Sequence, residues 1–401
     1  MNVLVINAGS SSIKYQLLNA VTGEVLSKGT AERIGLTESV ISHCRNGGTA
    51  TNLPVDMPNH KVALQAVLTV LTSDEHGILK SMSEIDAVGH RVVHGGEKFA
   101  TSVLITPEVK RAIRACFDLA PLHNPPNMTG IEACEEAMPG VPQVAVFDTA
   151  FHQSMPAKAY MYALPYELYE RLGIRKYGFH GTSHGYVARR AATIIGKPYE
   201  SLKIITCHLG NGSSIAAIDS GRCVDTSMGL TPLAGVCMGT RCGDIDPAIV
   251  TFLMDKEHMD GKAIDDLMNK RSGVSGISGV SSDFRDLYAA AGEGHKRASL
   301  ALDMFKYQCR KFIGAYGAAM GGVDVLVFTA GIGENTSDIR YGACEGLGYM
   351  GIQIDPYKNS AVRGREAIVS TDESRVKVMV VPTNEELAIA QETARICGIA
   401  L

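Results

Sequence analysis

The sequence predicts an α/β protein built from two related domains. Its 401 residues are enough for two hydrophobic cores. Apolar strands alternate with amphipathic helices, and polar residues follow the carboxyl ends of the strands, as in a sheet that holds a ligand crevice at that edge. A strand, a glycine-rich loop and a second strand occur near the N-terminus and again half a chain later. Such an internal repeat indicates duplicated domains.

The first copy of the repeat is the polar stretch NAGSSSIK at residues 7–14. An apolar run at residues 3–6 and an alternating pattern at residues 13–18 flank it, which predicts a hairpin. A serine-rich surface turn is the plain alternative. The loop's hydroxyl and N–H groups can donate to phosphate oxygens, its lysine adds a positive charge, and its asparagine offers a neutral oxygen to a metal or its water shell. The candidate ligands here are Asn7, Ser10, Ser12 and Lys14.

The second copy is HLGNGSSI at residues 208–215. It follows the apolar run at residues 202–207 and leads into a strand at residues 215–218. Two such loops from duplicated domains could hold a polyphosphate between them, although the Walker pattern is missing from the sequence. The candidate phosphate-loop residues are His208, Leu209, Gly210, Asn211 and Gly212.

Composition excludes several classes of function. With 45% hydrophobic residues, 20% charged residues and a net charge of −4, nothing points to nucleic acid. The first strand begins at once, so we expect no signal peptide, and no apolar run reaches transmembrane length. Ten cysteines without a C-x-x-C pair favour reduced thiols in a cytoplasmic protein.

Local patterns predict the main elements along the chain. Capping signals predict helix starts at Asn59, at Thr106 with Pro107, and at Thr383 with Glu386 as a capping box. Apolar runs predict strands at residues 85–93, 144–147, 323–329 and 376–381. We also expect a helix at residues 296–320, a rigid loop at residues 120–126 and a glycine-rich turn at residues 330–335. The repeat implies domains at residues 1–150 and 151–385, with residues 386–401 forming a helix that returns to the first domain.

Two arginines are candidates for binding anions. Arg91 and Arg241 each lie in a glycine-flanked loop, one in each half of the chain. Arginine binds carboxylates and phosphates bidentately and stays charged. A surface ion pair would explain either arginine alone, but two at corresponding places favour an anion clamp.

Histidines and carboxylates add further candidates. His94, His123, His180 and His208 lie in loops rich in glycine and proline. Each can be a structural hydrogen-bonding residue, and His180, in GFHGTSH, is the best candidate for a donor to a transferring phosphoryl group. Asp148 and Glu385 could hold magnesium through water. Helix capping, worth about 0.3–1 kcal/mol, explains Glu385 equally well.

Taken together, these stretches are similar to the acetate kinase family. The resemblance is collinear over the whole chain and rests on NAGSSSIK, GHRVVHGGE, PLHNPPN, VFDTAFHQ, GFHGTSH, HLGNGSS, DTSMGLTPL, GTRCGDIDP, FTAGIGEN and PTNEE. It implies two duplicated actin-like, ribonuclease H-like domains with a nucleotide cleft between them. It also implies a homodimer that uses ATP/ADP and Mg²⁺, with Mn²⁺ as an alternative, to interconvert acetate and acetyl phosphate.

The resemblance also assigns residues to roles. Asn7 and Glu385 would hold magnesium, and Arg91, Asp148, His180 and Arg241 would form the catalytic group, with Arg91 on the substrate carboxylate. ATP phosphates would meet Lys14 and the two hairpin loops, and adenosine would meet Asp283, Phe284, Arg285, Gly331, Ile332, Gly333, Glu334 and Asn335. The acetate pocket would comprise Val93, Leu122, His123, Phe179 and Pro232. The sequence departs from the family pattern at Cys242, where serine is common, and at Ala330, where glycine is common. Cys242 could make the site sensitive to oxidation.

The chemistry narrows what Asp148 can do. Acetate is already a carboxylate at neutral pH, so attack on the γ-phosphorus needs charge neutralisation and alignment but no general base. We therefore expect Asp148 to orient an arginine or a metal-bound water. A sugar kinase would instead need an aspartate base. A propionate or butyrate kinase of the same family and a nucleotide-dependent clamp like actin or heat-shock chaperones are two further functions compatible with these motifs.

Overall fold

The computed structural model describes residues 1–399, which form two compact units. Unit 1 comprises Met1–Gln153 together with the C-terminal segment that begins at Asn384, and unit 2 comprises Ser154–Thr383. The chain thus leaves unit 1 after Gln153 and returns to it at Asn384, so Glu385 belongs to unit 1. The boundaries expected from the sequence, near residues 150 and 385, lie a few residues away.

The described residues form fourteen strands and fifteen α-helices. The strands are β1 (Asn2–Ala8), β2 (Ser12–Asn19), β3 (Val25–Glu32), β4 (Val40–Arg45), β5 (Thr51–Pro54), β6 (Ala87–Val92), β7 (Val103–Leu104), β8 (Gln143–Phe147), β9 (Lys203–Leu209), β10 (Ser213–Asp219), β11 (Arg222–Thr226), β12 (Val325–Thr329), β13 (Ala367–Ile368) and β14 (Lys377–Val380). The helices are α1 (His60–Thr72), α2 (Pro107–Arg114), α3 (Asn124–Ala137), α4 (Ala157–Tyr160), α5 (Tyr166–Leu172), α6 (Gly181–Ile195), α7 (Ala248–Lys256), α8 (Gly261–Lys270), α9 (Gly273–Ser278), α10 (Phe284–Gly292), α11 (Lys296–Met320), α12 (Ala330–Asn335), α13 (Ser337–Cys344), α14 (Pro356–Ser360) and α15 (Glu385–Ile396).

The two units share one sheet topology, which confirms the internal repeat. The sheet of unit 1 has the order β5-β4-β3-β2-β1-β6-β8-β7, and that of unit 2 has the order β11-β10-β9-β12-β14-β13. In unit 1 the hairpin β1–β2 is antiparallel, and β1, β6 and β8 run parallel to one another. In unit 2 the hairpin β9–β10 is antiparallel, and β9, β12 and β14 run parallel. Unit 1 adds β4 and β5 at one edge.

Helices cover both faces of the unit 1 sheet. One apolar cluster joins β1 and β2 to α1 and α3, and a second joins the opposite face of β1 and β8 to Ile389, Ala390 and Ala394 of α15. Gly89 of β6 lets α15 lie close to the sheet, since a Cβ atom there would be 2.5 Å from Thr393 Oγ1. Burying a large aliphatic side chain such as Ile389 contributes about 1.5–3 kcal/mol. The C-terminal helix is therefore an integral part of unit 1.

The central strand of unit 2 divides its side chains between two helices. Ile205, Cys207 and Leu209 of β9 face the core cluster formed with α11. Thr206 and His208 point the other way and bond to residues of α6. This alternation follows from the two-residue repeat of a strand. It places polar β9 side chains beside α6, where the candidate site of unit 2 lies.

Several predicted helix boundaries are confirmed. Asn59 caps α1 by accepting from Val62 N, Thr106 caps α2 with Pro107 in the first turn, and α11 spans the predicted residues.

Three local predictions were wrong. Residues 124–126 do not belong to a loop but open α3, because proline is accommodated in the first turn of a helix. Residues 330–335 form the short helix α12. The cap of α15 is Asn384, whose side chain accepts from Leu387 N, while the Thr383 hydroxyl bonds to Ser183 Oγ.

None of the helices within residues 1–399 has the length and apolar character needed to cross a bilayer.

Candidate active site

In unit 1 the candidate residues collect where parallel strands end. Asn7 lies near the end of β1, Arg91 near the end of β6, and Asp148 directly after β8. Because β1, β6 and β8 are neighbours in the sheet, their carboxyl ends share one edge, which is where open α/β sheets bind ligands. Arg91 thus lies within a strand and not in the loop expected from the sequence, and a ligand site at this edge stays a prediction.

Arg91 and Asp148 form a bidentate ion pair. Arg91 Nε lies 3.1 Å from Asp148 Oδ1, and Arg91 Nη2 lies 2.7 Å from Oδ2. The Asp148 side chain is only 1% exposed, whereas that of Arg91 is 24% exposed. The Asp148 carboxylate raises the pKa of Arg91 further above its usual value. Asp148 therefore holds the guanidinium in one orientation, with each of its oxygens accepting one bond.

Glu385 approaches this pair from the first turn of α15. Burial raises the pKa of Glu385 to about 7. The positive charges of Arg91 and Lys14 oppose this rise, and the negative charges of Asp148 and Glu386 add to it. These four charged groups therefore lie near the Glu385 carboxyl within unit 1. The N-terminal end of α15 itself favours a negative charge, and a divalent cation would favour the ionised form further.

The donor set suits a hard cation bound mainly through water. No bond to the Asn7 side-chain amide is found within the described chain, so its oxygen is available, and Glu385 adds a carboxylate. Oxygen ligands of this kind suit magnesium, which keeps several waters and needs only one or two carboxylates. No group of three or more His, Cys, Asp or Glu side chains that could hold a metal occurs among residues 1–399. The residues thus fit a water-rich metal site shared with a phosphate ligand.

Two asparagines that sequence reasoning left without a role support the unit 1 site. Asn127 donates through Nδ2 to Ala8 O at 2.7 Å and accepts through Oδ1 from Val93 N at 3.1 Å. Asn124 bonds to the backbone N and O of His94. Both asparagines are buried on α3, so they tie the end of β1 and the loop after β6 to one helix. Their i, i+3 spacing in PLHNPPN is a signal that could have identified them.

The first hairpin loop is tight and partly exposed. Gly9 N donates to Ser12 O at 2.8 Å, and the Gly9 carbonyl lies 2.6 Å from His60 Nε2. Ser10 and Lys14 are exposed, and Ser12 is half-buried. The loop therefore presents hydroxyl and ammonium groups to solvent, as a phosphate-binding loop requires.

The predicted acetate pocket is divided between the units. In unit 1, Val93 is 7% exposed and Leu122 is 65% exposed, and His123 precedes the first residue of α3. In unit 2, Phe179 is 2% exposed and Pro232 is half-buried. Leu122 forms no buried wall within its own unit. That these five residues make one pocket stays a prediction.

In unit 2 the second hairpin brings Arg241 and His180 to one glycine. A Cβ atom on Gly212 would lie 3.4 Å from Arg241 Nη1 and 3.7 Å from His180 Nε2. Both nitrogens thus border the loop between β9 and β10. The structure brings these three predicted site residues together, and a guanidinium and an imidazole beside a glycine-rich loop suit an anion.

Arg241 is held without a carboxylate. Its Nη1 donates to Pro232 O at 3.1 Å and contacts Met238 Sδ at 3.7 Å, and no ion pair to it occurs within residues 1–399. Burial lowers the pKa of the Arg241 guanidinium from its ordinary value. The neighbouring Cys242 is half-buried, and burial raises the pKa of its thiol.

His180 belongs to a network of hydroxyl and imidazole groups. It occupies the N-cap of α6 with a φ of 57°, and its ring stacks on that of His208 with centroids 4.1 Å apart. His180 Nδ1 lies 2.9 Å from Ser214 Oγ, and His208 Nδ1 lies 2.8 Å from Ser183 Oγ. Both histidines are therefore fixed by serine hydroxyls within unit 2.

The first predicted adenosine segment is stabilised by its own contacts. Asp283 caps α10 and pairs with Arg285, whose Nη2 lies 2.6 Å from Asp283 Oδ2. Arg285 is highly exposed. Phe284 instead packs in the core against Phe305, so only its backbone could meet a nucleotide.

The second predicted adenosine segment, residues 331–335, is organised by Glu334. Its Oε1 accepts from Ala330 N at 2.8 Å and from Thr383 N at 3.1 Å. The fully buried Arg340 donates to the carbonyls of Gly333 and Glu334, which lie at the carboxyl end of α12. Ala330 adopts a φ of 63°, a conformation for which glycine is the usual residue. Glu334 therefore fixes the start of α12 through its side chain.

Known proteins resemble this chain over its full length. Residues 2–391 match the acetokinase family. An acetate kinase of Methanosarcina acetivorans is 61% identical over 99% of this chain and 97% of its own length. Among solved structures, an acetate kinase of Porphyromonas gingivalis has a TM-score of 0.96 at 52% identity, covering 99% of each chain. A propionate kinase of Francisella tularensis has a TM-score of 0.91 at 42% identity, covering 98% of this chain and 99% of its own.

This similarity confirms the predicted actin-like α/β fold class. The relatives named above are kinases, which are enzymes that transfer a phosphoryl group. The chain is thus a member of the acetokinase family.

Proposed function

We propose that this chain transfers a phosphoryl group reversibly from ATP to acetate, giving acetyl phosphate and ADP in a direct in-line step. The observation that carries the proposal is the ion pair of Arg91 with the buried Asp148. Each oxygen of Asp148 accepts one bond from Arg91, so the ion pair assigns this carboxylate the task of orienting the guanidinium. A carboxylate acceptor needs no base, and this favours acetate over a sugar.

Each side chain then has a defined task. Arg91, oriented by Asp148, binds the acetate carboxylate, while Arg241 and His180 Nε2 donate to the charge that develops on the transferring phosphoryl oxygens. Lys14, the two hairpin loops and residues 283–285 and 331–335 hold the nucleotide. Asn7 and Glu385 would hold Mg²⁺, with Mn²⁺ as an alternative. The bound metal ion would neutralise phosphate charge. Following the family resemblance, we further propose that the protein is a cytoplasmic homodimer.

Propionate is the second candidate acceptor, because a propionate kinase shares the fold at 42% identity. The test is acyl phosphate formation from ATP with acetate, propionate, butyrate and glucose measured side by side. We expect acetate to be preferred, propionate to react less well, and butyrate and glucose to be poor. A preference for propionate would identify the second candidate, and slow ATP hydrolysis unaffected by any acid would identify a nucleotide-dependent clamp.

Val93 provides a sharper test of acid choice. One methylene in an apolar pocket is worth about 1–3 kcal/mol, so Val93→Ala should raise kcat/KM for propionate and butyrate relative to acetate. If Val93 only packs in the core, where it is 7% exposed, the variant will lose about 1 kcal/mol of stability with unchanged ratios. An unchanged ratio would therefore remove Val93 from the pocket.

A further inference from the structure

Four buried or half-buried polar side chains of unit 2 form a single hydrogen-bonded chain. Thr206 Oγ1 lies 2.7 Å from His184 Nδ1, and His184 Nε2 lies 2.7 Å from Ser214 Oγ. Ser214 Oγ lies 2.9 Å from His180 Nδ1. Thr206, His184 and Ser214 are fully buried. The chain thus runs from a buried threonine in β9 to the histidine that borders Gly212.

Proton accounting couples the two histidines. Ser214 carries one hydroxyl hydrogen, so it can donate to His180 or to His184 but not to both. If it donates to His180 Nδ1, it accepts from His184 Nε2–H, and both neutral rings carry their proton on Nε2. If it donates to His184 Nε2, it accepts from His180 Nδ1–H, and both rings carry their proton on Nδ1. If Ser214 instead accepted from both rings, its own buried hydroxyl hydrogen would have no acceptor among the bonds of residues 1–399, at a cost of about 1–3 kcal/mol. The two rings therefore share one tautomer.

Thr206 decides between the two arrangements. When His184 carries its proton on Nε2, the Thr206 hydroxyl donates to His184 Nδ1. In the reverse arrangement Thr206 accepts from His184, and its own hydroxyl hydrogen has no acceptor, because the described part of the chain supplies no other bond to this hydroxyl. Leaving a buried donor unsatisfied costs about 1–3 kcal/mol. The Nε2–H arrangement is therefore the more stable one.

We propose that Thr206, His184 and Ser214 are positioning residues that fix the His180 ring proton on Nε2. His180 then presents a neutral N–H donor beside Gly212 and Arg241, on the side away from Ser214. The importance of this donor for catalysis rests on the proposed function. The tautomer itself does not, because it is argued from the bonds that join these four side chains.

Other titratable groups also surround His180. The His208 ring stacks on it at 4.1 Å but bonds to Ser183, which in turn bonds to Thr383 Oγ1. Arg241 Nη1 borders the same glycine. The Ser183 hydroxyl bonds to His208 and Thr383, and no bond from it to the four side chains of the proposed chain occurs within residues 1–399. Ser183→Ala is therefore a matched control, because it removes a buried serine hydroxyl from a neighbouring histidine.

The test is NMR of the full-length protein with ¹⁵N-labelled histidine, recorded at pH 8 without substrates. Protonated and unprotonated ring nitrogens resonate far apart, and the loss of signals in His180→Ala assigns the ring. We expect His180 to show a protonated Nε2 in the wild type, in Thr206→Ser and in Ser183→Ala. Thr206→Val preserves side-chain shape but removes the deciding hydroxyl, so it should shift His180 toward the Nδ1–H form. Ser214→Ala should also change the His180 pattern.

Activity measurements then show what the tautomer contributes. In Thr206→Val we expect kcat to fall in proportion to the remaining Nε2–H population, while KM for ATP changes less than about twofold. Thr206→Ser should restore kcat. A wild-type His180 with its proton on Nδ1, or an unchanged His180 pattern in Thr206→Val, would overturn the proposal. Failure to phosphorylate acetate would instead refute the proposed function and leave the ring assignment standing.

Discussion

The two units hold their arginines at the edges of similar sheets, but by different means. In unit 1, Arg91 is clamped by both oxygens of the buried Asp148. In unit 2, Arg241 is held by the Pro232 carbonyl and the Met238 sulfur. One arginine is thus partly neutralised and fixed in orientation, whereas no ion pair to the other occurs among residues 1–399.

This difference suggests a division of labour. A guanidinium fixed by a carboxylate is suited to hold a substrate carboxylate at one angle, since its orientation is already set in the folded protein. A buried guanidinium without an anion gains most when negative charge develops nearby. Unit 1 would then position the acceptor, and unit 2 would stabilise the transferring group.

The largest expected contrast is between Arg91→Ala and Arg241→Ala. Each variant should lose about 10²–10³ in the rate of acyl phosphate formation, because each removes a positioned donor. Arg91→Ala also leaves Asp148 buried without a partner, which typically costs about 3–5 kcal/mol. Arg241→Ala leaves no buried anion, so its stability should change much less. Denaturant unfolding and initial rates on both variants measure the contrast.

Equal stability losses in the two arginine variants would contradict the proposed difference. An additional Asp148→Asn variant separates charge from shape, because it keeps a side chain of the same size beside Arg91. A large loss of nucleotide affinity in either arginine variant would place that arginine on ATP.

The next contrast concerns the metal, which we assign to unit 1. Glu385→Gln should raise the Mg²⁺ concentration needed for half-maximal activity by about tenfold, since it removes a carboxylate ligand. Glu386→Gln is a matched control, because Glu386 is the next residue in the first turn of α15 but has no assigned ligand role. An equal shift in both variants would indicate a general loss of negative charge.

A smaller effect is expected from acid, again in unit 1. Burial lowers the pKa of His90 from 6.5 to about 4, so the unfolded chain binds a proton that the folded chain rejects. Stability should therefore fall as the pH drops from 6.5 toward 4, with about 2 kcal/mol lost by pH 5. His90→Gln, which can still bond to Gln143, should lack this loss in pH-dependent denaturant unfolding.

The difference between wild type and His90→Gln isolates His90. Glu385, whose pKa is raised to about 7, acts in the opposite direction between pH 4.5 and 7 but is present in both proteins. Hydrogen exchange should show β6 and β8 losing protection in acid before β9 and β12. Identical pH profiles for the two proteins would show that His90 titrates normally in the folded state.

The smallest expected effect is in unit 2, at Ala330. Its φ of 63° is a left-handed backbone conformation, which costs a residue with a Cβ atom roughly 1–2 kcal/mol. Ala330→Gly should remove that cost and stabilise the protein by about 0.5–1 kcal/mol after the greater chain entropy of glycine. Ala388→Gly, inside α15 of unit 1, should destabilise by a similar amount. Thermal unfolding that shows the same sign for both substitutions would contradict the strain.

The sequence predictions were more accurate for features set by neighbouring residues than for features set by contacts between residues far apart in the chain. The hairpins, the repeat and the long helix α11 follow from residue periodicity and were predicted well. Capping was predicted less reliably, because Thr383 and Asn384 are both good cap residues and only the packing of α15 selects Asn384. The prolines at residues 125 and 126 were equally ambiguous, since proline ends one helix and opens another.

The sequence by itself determined the fold class and the family, because these are encoded in local patterns and in motifs collinear with known relatives. It also predicted the two arginines as anion-binding residues. Tertiary structure decided what those residues touch. Asp148 meets Arg91 across 57 positions of chain, and Asn127 meets Ala8 across 119. The Thr206, His184, Ser214 and His180 chain likewise joins two strands to α6 and its N-cap. Hydrogen bonds depend on distances of about 3 Å, and only the packed sheets and helices bring such remote groups that close.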